Sequence, residues 1–221
     1  MTSQFNIDFL PGQTQKVFEE LAEKQFINKY SLLGGTALSL QLRHRLSEDL
    51  DFVYDEEKLS INEIKRNIAK VFPEHLIIRQ DTPWQIDFII NEVKVTFFSG
   101  GSVAIPFNVG NYTTPYKNIN ICEVDVIATL KMASIAQRNT IRDYYDLYYL
   151  AKYHMSLLEI IERTKTLIPN LSPITYTETL VYTEDIDEAT IAEHLQPAEI
   201  VTKEQISDFF TNELIKIKGK I

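Results

Sequence analysis

The feature that most constrains the fold of this chain is a glycine pair followed, at a set distance, by two aspartates. Gly34 and Gly35 precede an apolar helical segment, and thirteen residues separate them from Asp49. Residues 50–54 alternate and are rich in β-prone side chains, which predicts a strand that carries Asp51. Thirteen residues are enough for one helix and a turn back. The pattern therefore predicts a turn, a helix and a strand in that order.

Both parts of this pattern favour a particular chemistry. Two glycines before a helix let the backbone approach a ligand closely, and the helix start offers unpaired N–H groups and a positive dipole end to a phosphate. Asp49 and Asp51, two apart on a strand, point to the same face. Two such carboxylates repel each other unless a cation lies between them, and their hard oxygens suit Mg²⁺. Either element alone is a common turn or strand edge, but together they predict a triphosphate site.

The rest of the chain is predicted to be α+β, with a mixed α/β half followed by a mainly helical half. Capping-box patterns at Ser60–Glu63 and Thr202–Gln205 mark two helix starts. The predicted helices are residues 11–30, 60–71, 124–138 and 141–154 and one that begins at Thr202. The predicted strands are residues 50–54, 84–90 and 93–98, with a turn at Asn91–Glu92 and a loop over residues 100–120. We place the domain boundary at residue 120, with an α/β core in residues 1–120 and a helical region in residues 121–221.

Composition excludes several classes of protein. The 221 residues carry 22 basic and 31 acidic side chains, and the net charge of −9 excludes a general electrostatic binder of nucleic acid or anionic lipid. No stretch approaches the ~20 apolar residues of a membrane helix. Because Cys122 is the single cysteine, an intramolecular disulfide is impossible. We therefore expect a globular, cytoplasmic protein that contacts no membrane.

Positive charge is concentrated in two short segments of the first half. Arg43, His44 and Arg45 are predicted to form a solvent-exposed basic cluster, and the segment 65–70 carries three further basic side chains. A nucleic acid partner would be expected to bind along this local strip, because phosphates favour clustered positive charge.

Four stretches follow one another in the order and spacing of a known family. They are GGTAL at residues 34–38, RLSEDLDF at 45–52, KMASIAQR at 131–138 and RDYYDL at 142–147. Together they resemble the AbiEii/AbiGii toxin nucleotidyltransferases, which belong to the DNA polymerase β-like nucleotidyltransferase superfamily. The resemblance covers residues 30–150, and the segment after residue 155 carries no motif that we can place.

The resemblance implies a Mg²⁺-dependent enzyme that transfers a nucleotide from an NTP to an acceptor, with pyrophosphate leaving. Its members are similar to toxins of bacterial toxin–antitoxin or phage-defence pairs, and some modify tRNA, which implies an RNA acceptor and a cognate antitoxin. On this basis Asp49 and Asp51 hold the ions of a two-metal site, while Asp143 and Asp146 are carboxylates with which the helical region completes the active site. The residues that the resemblance assigns to the triphosphate are Gly34, Gly35, Thr36, Ser47 and Lys131.

The chain departs from the superfamily at the third carboxylate, which usually stands on a later strand. Residues 93–98 offer Thr96 at the expected place. If the hairpin turns at residues 91–92, Asp87 lies beside Thr96 on the same face, and we expect it partly to replace the third acid.

Alternative interpretations remain for single residues and for the whole chain. Lys131 also fits a surface lysine whose stem covers apolar side chains, and Arg142 fits a structural ion pair with Asp143 or Asp146. The chain as a whole also fits a catalytically impaired relative that binds a partner. A kinase with the same glycine and aspartate elements is a third interpretation, although no Gly-x-x-x-x-Gly-Lys-Ser/Thr loop occurs.

Overall fold

The structure, a computed structural model, describes residues 5–74, 76–101 and 105–219. The chain divides into two compact units, one up to Glu123 and one from Val124 onwards. The first unit holds a mixed sheet with helices and the second is helical, which confirms the α+β class. In the described segments, no helix combines the length and the apolar character that crossing a membrane requires.

The described part of the first unit contains a seven-stranded sheet. Its strands are β1 (Ser31–Leu33), β2 (Leu50–Tyr54), β3 (Leu76–Thr82), β4 (Gln85–Ile90), β5 (Val93–Ser99), β6 (Thr113–Tyr116) and β7 (Ile119–Cys122). Their order across the sheet is β3-β4-β5-β2-β1-β7-β6. The pairs β2–β5 and β1–β7 are parallel, and the other neighbouring pairs are antiparallel. The two strands that border the glycine pair and the aspartates, β1 and β2, therefore lie inside the sheet, where neighbours on both sides hold them.

The helices follow the apolar spacing of the sequence. Those of the first unit are α1 (Gly12–Ala22), α2 (Gly34–Leu42) and α3 (Ile61–Val71). Those of the second unit are α4 (Val124–Ile135), α5 (Ile141–Tyr153), α6 (Leu157–Leu167), α7 (Pro173–Val181) and α8 (Lys203–Ile217). In α1, Val17, Phe18 and Leu21 are fully buried, and their spacing of one, three and four residues is that of one helix face.

One face of the sheet in the first unit is an apolar core. Phe52, Phe97 and Ile86 pair across β2, β5 and β4, and each is fully buried. The rings of Phe52 and Phe97 stack with centroids 5.3 Å apart. Since side chains alternate along a strand, the residues between these positions point to the opposite face. Asp51, Thr96 and Asp87 occupy such positions on β2, β5 and β4, so their side chains point away from the apolar core.

The hairpin between β4 and β5 has the predicted turn. Asn91 and Glu92 have φ of 49° and 71°, the backbone of a two-residue type I′ turn. The predicted capping box of α8 is also confirmed, because Thr202 and Gln205 exchange both hydrogen bonds.

Three predictions about local structure are wrong. Residues 113–116 of the predicted loop form β6 and residues 119–120 belong to β7, and residues 102–104 of that loop lie outside the described segments. The predicted helix over residues 11–30 ends at Ala22 and is followed by a 3-10 helix, Gln25–Lys29. The Ser60 side chain makes no capping hydrogen bond: the N–H of Glu63 donates to the Ser60 carbonyl at 2.9 Å, and the Glu63 carboxylate accepts from Nζ of Lys29 at 2.8 Å.

Candidate active site

The turn between β1 and α2 brings the backbone against the carboxylate of Asp51. Gly34 has a φ of +76°, which L side chains rarely adopt, and a Cβ built there would lie 3.3 Å from Oδ2 of Asp51. Leu33, the last residue of β1, pairs in register with Asp51. The start of α2, with its N–H groups and positive dipole end, therefore lies beside this carboxylate.

Hydrogen bonds tie the first turn of α2 to the segment before β2. The Thr36 hydroxyl donates to the carbonyl of Asp49 and lies 2.9 Å from the hydroxyl of Ser47. Thr36 and Ser47 are both buried, whereas Asp49 and Asp51 are half-buried. The structure thus brings together, in one place, the glycine pair, Thr36, Ser47 and the two aspartates that the sequence pattern singled out.

The basic cluster predicted at residues 43–45 is buried except for Arg43. His44 is fully buried and Arg45 is 2% exposed, so the prediction of a solvated cluster is wrong for both. Nη2 of Arg45 lies 2.7 Å from the position of a Cβ on Gly35, and Nη1 donates to the carbonyl of Leu46 at 3.0 Å. The guanidinium therefore packs against the glycine turn and is not part of an exposed strip.

A polar row crosses three adjacent strands on the face opposite the apolar core. Asp51 pairs with Thr96 and Thr96 pairs with Asp87, which confirms that Asp87 and Thr96 are neighbours on one face. Thr96 is 5% exposed, and its hydroxyl has no hydrogen-bond partner among the described residues. The Asp87 carboxylate accepts from Nε2 of Gln85 at 2.9 Å and lies 3.4 Å from Nζ of Lys94. Asp87 stands two strands from Asp51, at roughly 10 Å between backbones.

The donor set of the first unit suits a hard divalent cation. Within the described segments, no three His, Cys, Asp or Glu side chains are grouped so that they could hold a metal ion. Asp49 and Asp51 supply two half-buried carboxylates, and Mg²⁺ is commonly bound by one or two carboxylates with water and phosphate oxygens as further ligands. The buried hydroxyl of Thr96, one strand from Asp51, adds a polar atom without a partner among the described residues. These residues fit Mg²⁺.

The second unit contains a buried charge cluster, which we call the α4–α5 cluster. Nζ of Lys131 on α4 lies 2.6 Å from Oδ1 of Asp143 and 2.6 Å from Oδ2 of Asp146, both on α5. Lys131 is 7% exposed, Asp143 1% and Asp146 0%, so Lys131 is not a surface lysine. A buried cation with two carboxylates is costly to desolvate, and its members hold one another in place.

Arg138 extends the α4–α5 cluster towards solvent. Its Nε lies 2.8 Å from Oδ2 of Asp143, and the Thr140 hydroxyl donates to the same oxygen at 2.9 Å. The arginine partner of Asp143 is therefore Arg138, whereas the sequence suggested Arg142. Burial alone would raise the pKa of Asp143, but the charges of Lys131 and Arg138 outweigh it and hold the pKa below its ordinary value.

The sequence does not reveal the roles of three site residues. The sequence around Arg45 is typical of a charged surface segment. Arg138 lies in the 131–138 stretch, but the resemblance assigns it no role. Thr96 is notable in the sequence only because it stands where the superfamily has its third carboxylate. Only the side chains packed around Arg45 reveal its burial, since Arg43, His44 and Arg45 are equally polar in sequence. Arg138 lies three residues beyond the end of α4, so helical spacing from Lys131 gives no signal for its contact with Asp143.

Comparison with known proteins identifies a family and a relative that resemble this chain in sequence. The family model described as nucleotidyl transferase AbiEii toxin, type IV toxin–antitoxin system, matches residues 16–198. An uncharacterized protein of Aquifex aeolicus is 28% identical over 212 residues, which cover 93% of this chain and 96% of that protein.

Two solved structures share the fold. JHP933 from Helicobacter pylori is 18% identical, with a TM-score of 0.52 and 96% of each chain covered. MenT4, a nucleotidyltransferase toxin from Mycobacterium tuberculosis, is 11% identical, with a TM-score of 0.54 and coverage of 95% of this chain and 87% of that one. At these identities the likeness concerns the fold alone.

Proposed function

This chain belongs to the AbiEii family of nucleotidyltransferase toxins, and from that premise we propose that it transfers a nucleoside monophosphate from an NTP to an RNA acceptor. An acceptor oxygen attacks the α-phosphorus, the bond from that phosphorus to the bridging oxygen of the β-phosphate breaks, and pyrophosphate leaves. The acceptor hydroxyl gives up its proton to solvent or to a nearby base. The observation that carries the proposal is the placement of the Asp51 carboxylate 3.3 Å from the Cβ position of Gly34.

The glycine turn is proposed to bind the triphosphate. The N–H groups at the start of α2 suit phosphate oxygens, and the missing side chains of Gly34 and Gly35 let those oxygens approach the backbone. Thr36 and Ser47 hold this turn against the segment that carries Asp49. Because the Thr36 hydroxyl is used in these hydrogen bonds, we propose that Thr36 and Ser47 position the glycine turn for the triphosphate.

Asp49 and Asp51 are proposed to hold Mg²⁺, with substrate and water as its other ligands. When bound, Mg²⁺ stabilises the negative charge on the attacking and leaving oxygens. Asp87 is proposed to contribute to the same face as a partial replacement for the third acid. Its bonds to Gln85 and Lys94 and its distance of two strands from Asp51 favour an indirect contribution, through the polar row.

In the second unit, Lys131 is proposed to offset the charge of the triphosphate. Asp143 and Asp146 hold its ammonium group in one place, at 2.6 Å from each, so these carboxylates orient the cation. Preorganised charges act on a reaction without reorganising during it, which is the advantage of a buried cluster over a mobile surface lysine.

The family description also supports a role in a toxin–antitoxin pair, with a cognate antitoxin as partner. For the RNA acceptor we propose contact with the exposed basic residues of α3. Arg66 and Lys70 are exposed and lie four residues apart, hence on one face of that helix. The net charge of −9 makes such a local strip necessary, because the whole protein repels polyanions.

The test is a transfer assay with Mg²⁺, each of the four α-³²P-labelled NTPs in turn, and total bacterial RNA and protein. We expect label in an RNA band with the wild-type protein and none with Asp49→Asn or Asp51→Asn. The matched control is Asp8→Asn, which removes the same charge from an exposed position of the same unit and should transfer label normally.

Other outcomes would support other functions. Label in a protein band would support nucleotidyl transfer but show that the acceptor is a protein and not RNA. Transfer of γ-label instead of α-label would indicate a kinase. The absence of transfer with every nucleotide would contradict the proposal and favour a partner-binding relative that has lost activity with its third acid.

A further inference from the structure

One edge of the sheet in the first unit is protected and the other is open. The edge strand β6 carries Pro115, which has no N–H group to offer to a further strand. The other edge strand, β3, contains neither proline nor glycine and is exposed over residues 77–81. No strand in the described segments pairs with its outer side. Such an edge presents a row of N–H and C=O groups to which another chain can bind.

Apolar side chains at this edge favour contact with another chain. Ile77 is 52% exposed, Ile78 is 43% exposed, and Trp84, in the turn after β3, is 50% exposed. Exposed apolar side chains that are gathered in one short segment mark interaction sites, whereas singly scattered ones do not. The carbonyl of Trp84 accepts from the N–H of Ser99 at 2.8 Å, which holds the turn in place. The edge is therefore a preformed surface.

The charges of β3 match those of a second copy of the same strand. Arg79 and Asp81 stand on either side of Gln80. In an antiparallel pair of β3 strands with a two-fold axis at Gln80, Arg79 of each copy lies opposite Asp81 of the other, and two pairs of opposite charge form. An axis at Arg79 would place two like charges opposite each other, which destabilises a strand pair. The charge pattern therefore favours a second copy as the occupant and also sets the register.

Arg79 has no partner of its own in the first unit. The register of β3 against β4 shifts between Ile78 and Gln80, so Arg79 has no cross-strand neighbour on β4. Its side chain takes part in no ion pair among the described residues. Asp81 forms an ion pair with Lys65, yet its side chain remains 43% exposed. Because a carboxylate accepts several hydrogen bonds, Asp81 can bind Arg79 of a second copy and keep Lys65.

We propose that this protein forms a homodimer in which two β3 strands pair antiparallel and join the two sheets into one. The pairing closes after two copies, because each copy has one β3 edge and the edges that remain are the β6 strands with Pro115. The bulge of β3 increases its twist and keeps the regular pairing short. We therefore expect a dissociation constant in the micromolar range. The inference goes beyond the proposed transfer reaction and does not depend on it.

The test is sedimentation equilibrium of the full chain at low to high micromolar concentrations, where we expect a monomer–dimer equilibrium for the wild type. Arg79→Asp and Asp81→Arg each turn both attractive pairs of the dimer into repulsive ones, so each should raise the dissociation constant at least about tenfold. The matched controls are Lys16→Asp and Asp8→Arg. They make the same changes in charge at exposed positions outside β3 and should dimerise like the wild type.

A mixture of the two variants distinguishes a second copy from any other occupant. Arg79→Asp and Asp81→Arg should not pair with themselves, but in an equimolar mixture each introduced side chain faces a charge of opposite sign on the other variant. We expect heterodimers whose dissociation constant lies within about threefold of the wild-type value. The double variant Arg79→Asp/Asp81→Arg restores the match within one chain and should dimerise as well. Circular dichroism checks that each variant folds.

Trp84 supplies a second measurement, because it is the single tryptophan of the chain. In the proposed register it stands opposite Leu76 of the second copy, at the end of the paired strands. Its fluorescence emission should shift to shorter wavelength as the protein concentration rises and the ring loses contact with water. Arg79→Asp should show no such shift over the same concentrations.

Three results would overturn the proposal. They are a wild-type protein that stays monomeric throughout the concentration range, a dimer that persists in both single variants, and single variants that fail to associate with each other in the mixture. The transfer assay reports separately on the proposed function, since none of these measurements requires a nucleotide.

Discussion

Nη2 of Arg45 lies 2.7 Å from the point at which a Cβ on Gly35 would stand, and Oγ of Ser47 lies 2.9 Å from the same point. Both distances are shorter than real Cβ contacts, so Gly35→Ala must displace these side chains. Because Arg45 is buried, we expect a loss of about 1–3 kcal/mol in the free energy of unfolding. Nucleotide affinity should fall as well, since the displaced groups border the glycine turn. Urea denaturation and calorimetry measure the two effects.

The matched control for this substitution is Gly12→Ala. Gly12 is the first residue of α1, and a Cβ there meets nothing within 4 Å. Stability should stay the same or rise by up to about 1 kcal/mol, because alanine restricts the unfolded chain. Equal changes in the free energy of unfolding for the two substitutions would contradict the conclusion that a Cβ at Gly35 displaces Arg45.

The unpartnered hydroxyl of Thr96 predicts opposite effects on stability and activity. It is buried without a hydrogen-bond partner among the described residues, so Thr96→Val should leave stability unchanged or raise it by up to about 1 kcal/mol. We expect turnover to fall roughly tenfold, because the hydroxyl stands beside Asp51 in the polar row. Thr36→Val is the control that should destabilise, since the Thr36 hydroxyl donates to the carbonyl of Asp49. A loss of stability in Thr96→Val would show that the hydroxyl already has a partner in the folded protein.

The register of the sheet shows how far sequence could predict this site. The type I′ turn at residues 91–92 sets the pairing of β4 with β5, and alternation sets which side chains share a face. These two local rules were enough to place Asp87 beside Thr96. The parallel pairing of β5 with β2, which adds Asp51 to the row, joins segments more than 40 residues apart and has no local signal.

The sequence did not predict β3, β6 or the burial of Arg45, and each of these omissions has a physical cause. β3 carries five exposed residues in a row at the edge of the sheet, so it lacks the alternation that marks a half-buried strand. β6 contains Pro115, which is tolerated because β6 is the other edge strand. Arg45 is polar in sequence and buried in the structure because its charge packs against a glycine turn from another segment.

The α4–α5 cluster predicts a large effect on stability from one substitution. Lys131→Met removes the cation from between Asp143 and Asp146, both almost fully buried. Both buried carboxylates then lose a cation at 2.6 Å, although Asp143 keeps Arg138 and Thr140, so the free energy of unfolding should fall by about 3–5 kcal/mol. Lys165→Met breaks an exposed pair with Glu162 and should cost less than about 0.5 kcal/mol. Similar losses for the two variants, measured by urea denaturation, would argue against a buried cluster.

The exposed face of α3 predicts a salt-dependent effect on RNA binding. Arg66→Glu combined with Lys70→Glu should weaken binding and lower the slope of log K against log salt by about one for each phosphate that α3 no longer binds. The control pair is Lys16→Glu and Lys58→Glu, which makes the same change in net charge at exposed positions of the same unit. If both pairs act alike, the effect comes from net charge, and α3 is not a binding surface.

The lowered pKa of Asp143 predicts how acid destabilises the second unit. Burial raises this pKa, but Lys131 and Arg138 together lower it below the ordinary value of 3.8. A carboxyl with a lowered folded-state pKa contributes stability that is fully present above its unfolded value and is lost as pH falls through the folded value. Urea denaturation between about pH 2 and pH 6 should therefore show stability falling below about pH 4. Asp143→Asn should be less stable at neutral pH and should lose less stability on acidification than the wild type. Parallel curves for Asp143→Asn and the wild type would mean that the carboxylate of Asp143 gains no stabilisation from Lys131 and Arg138.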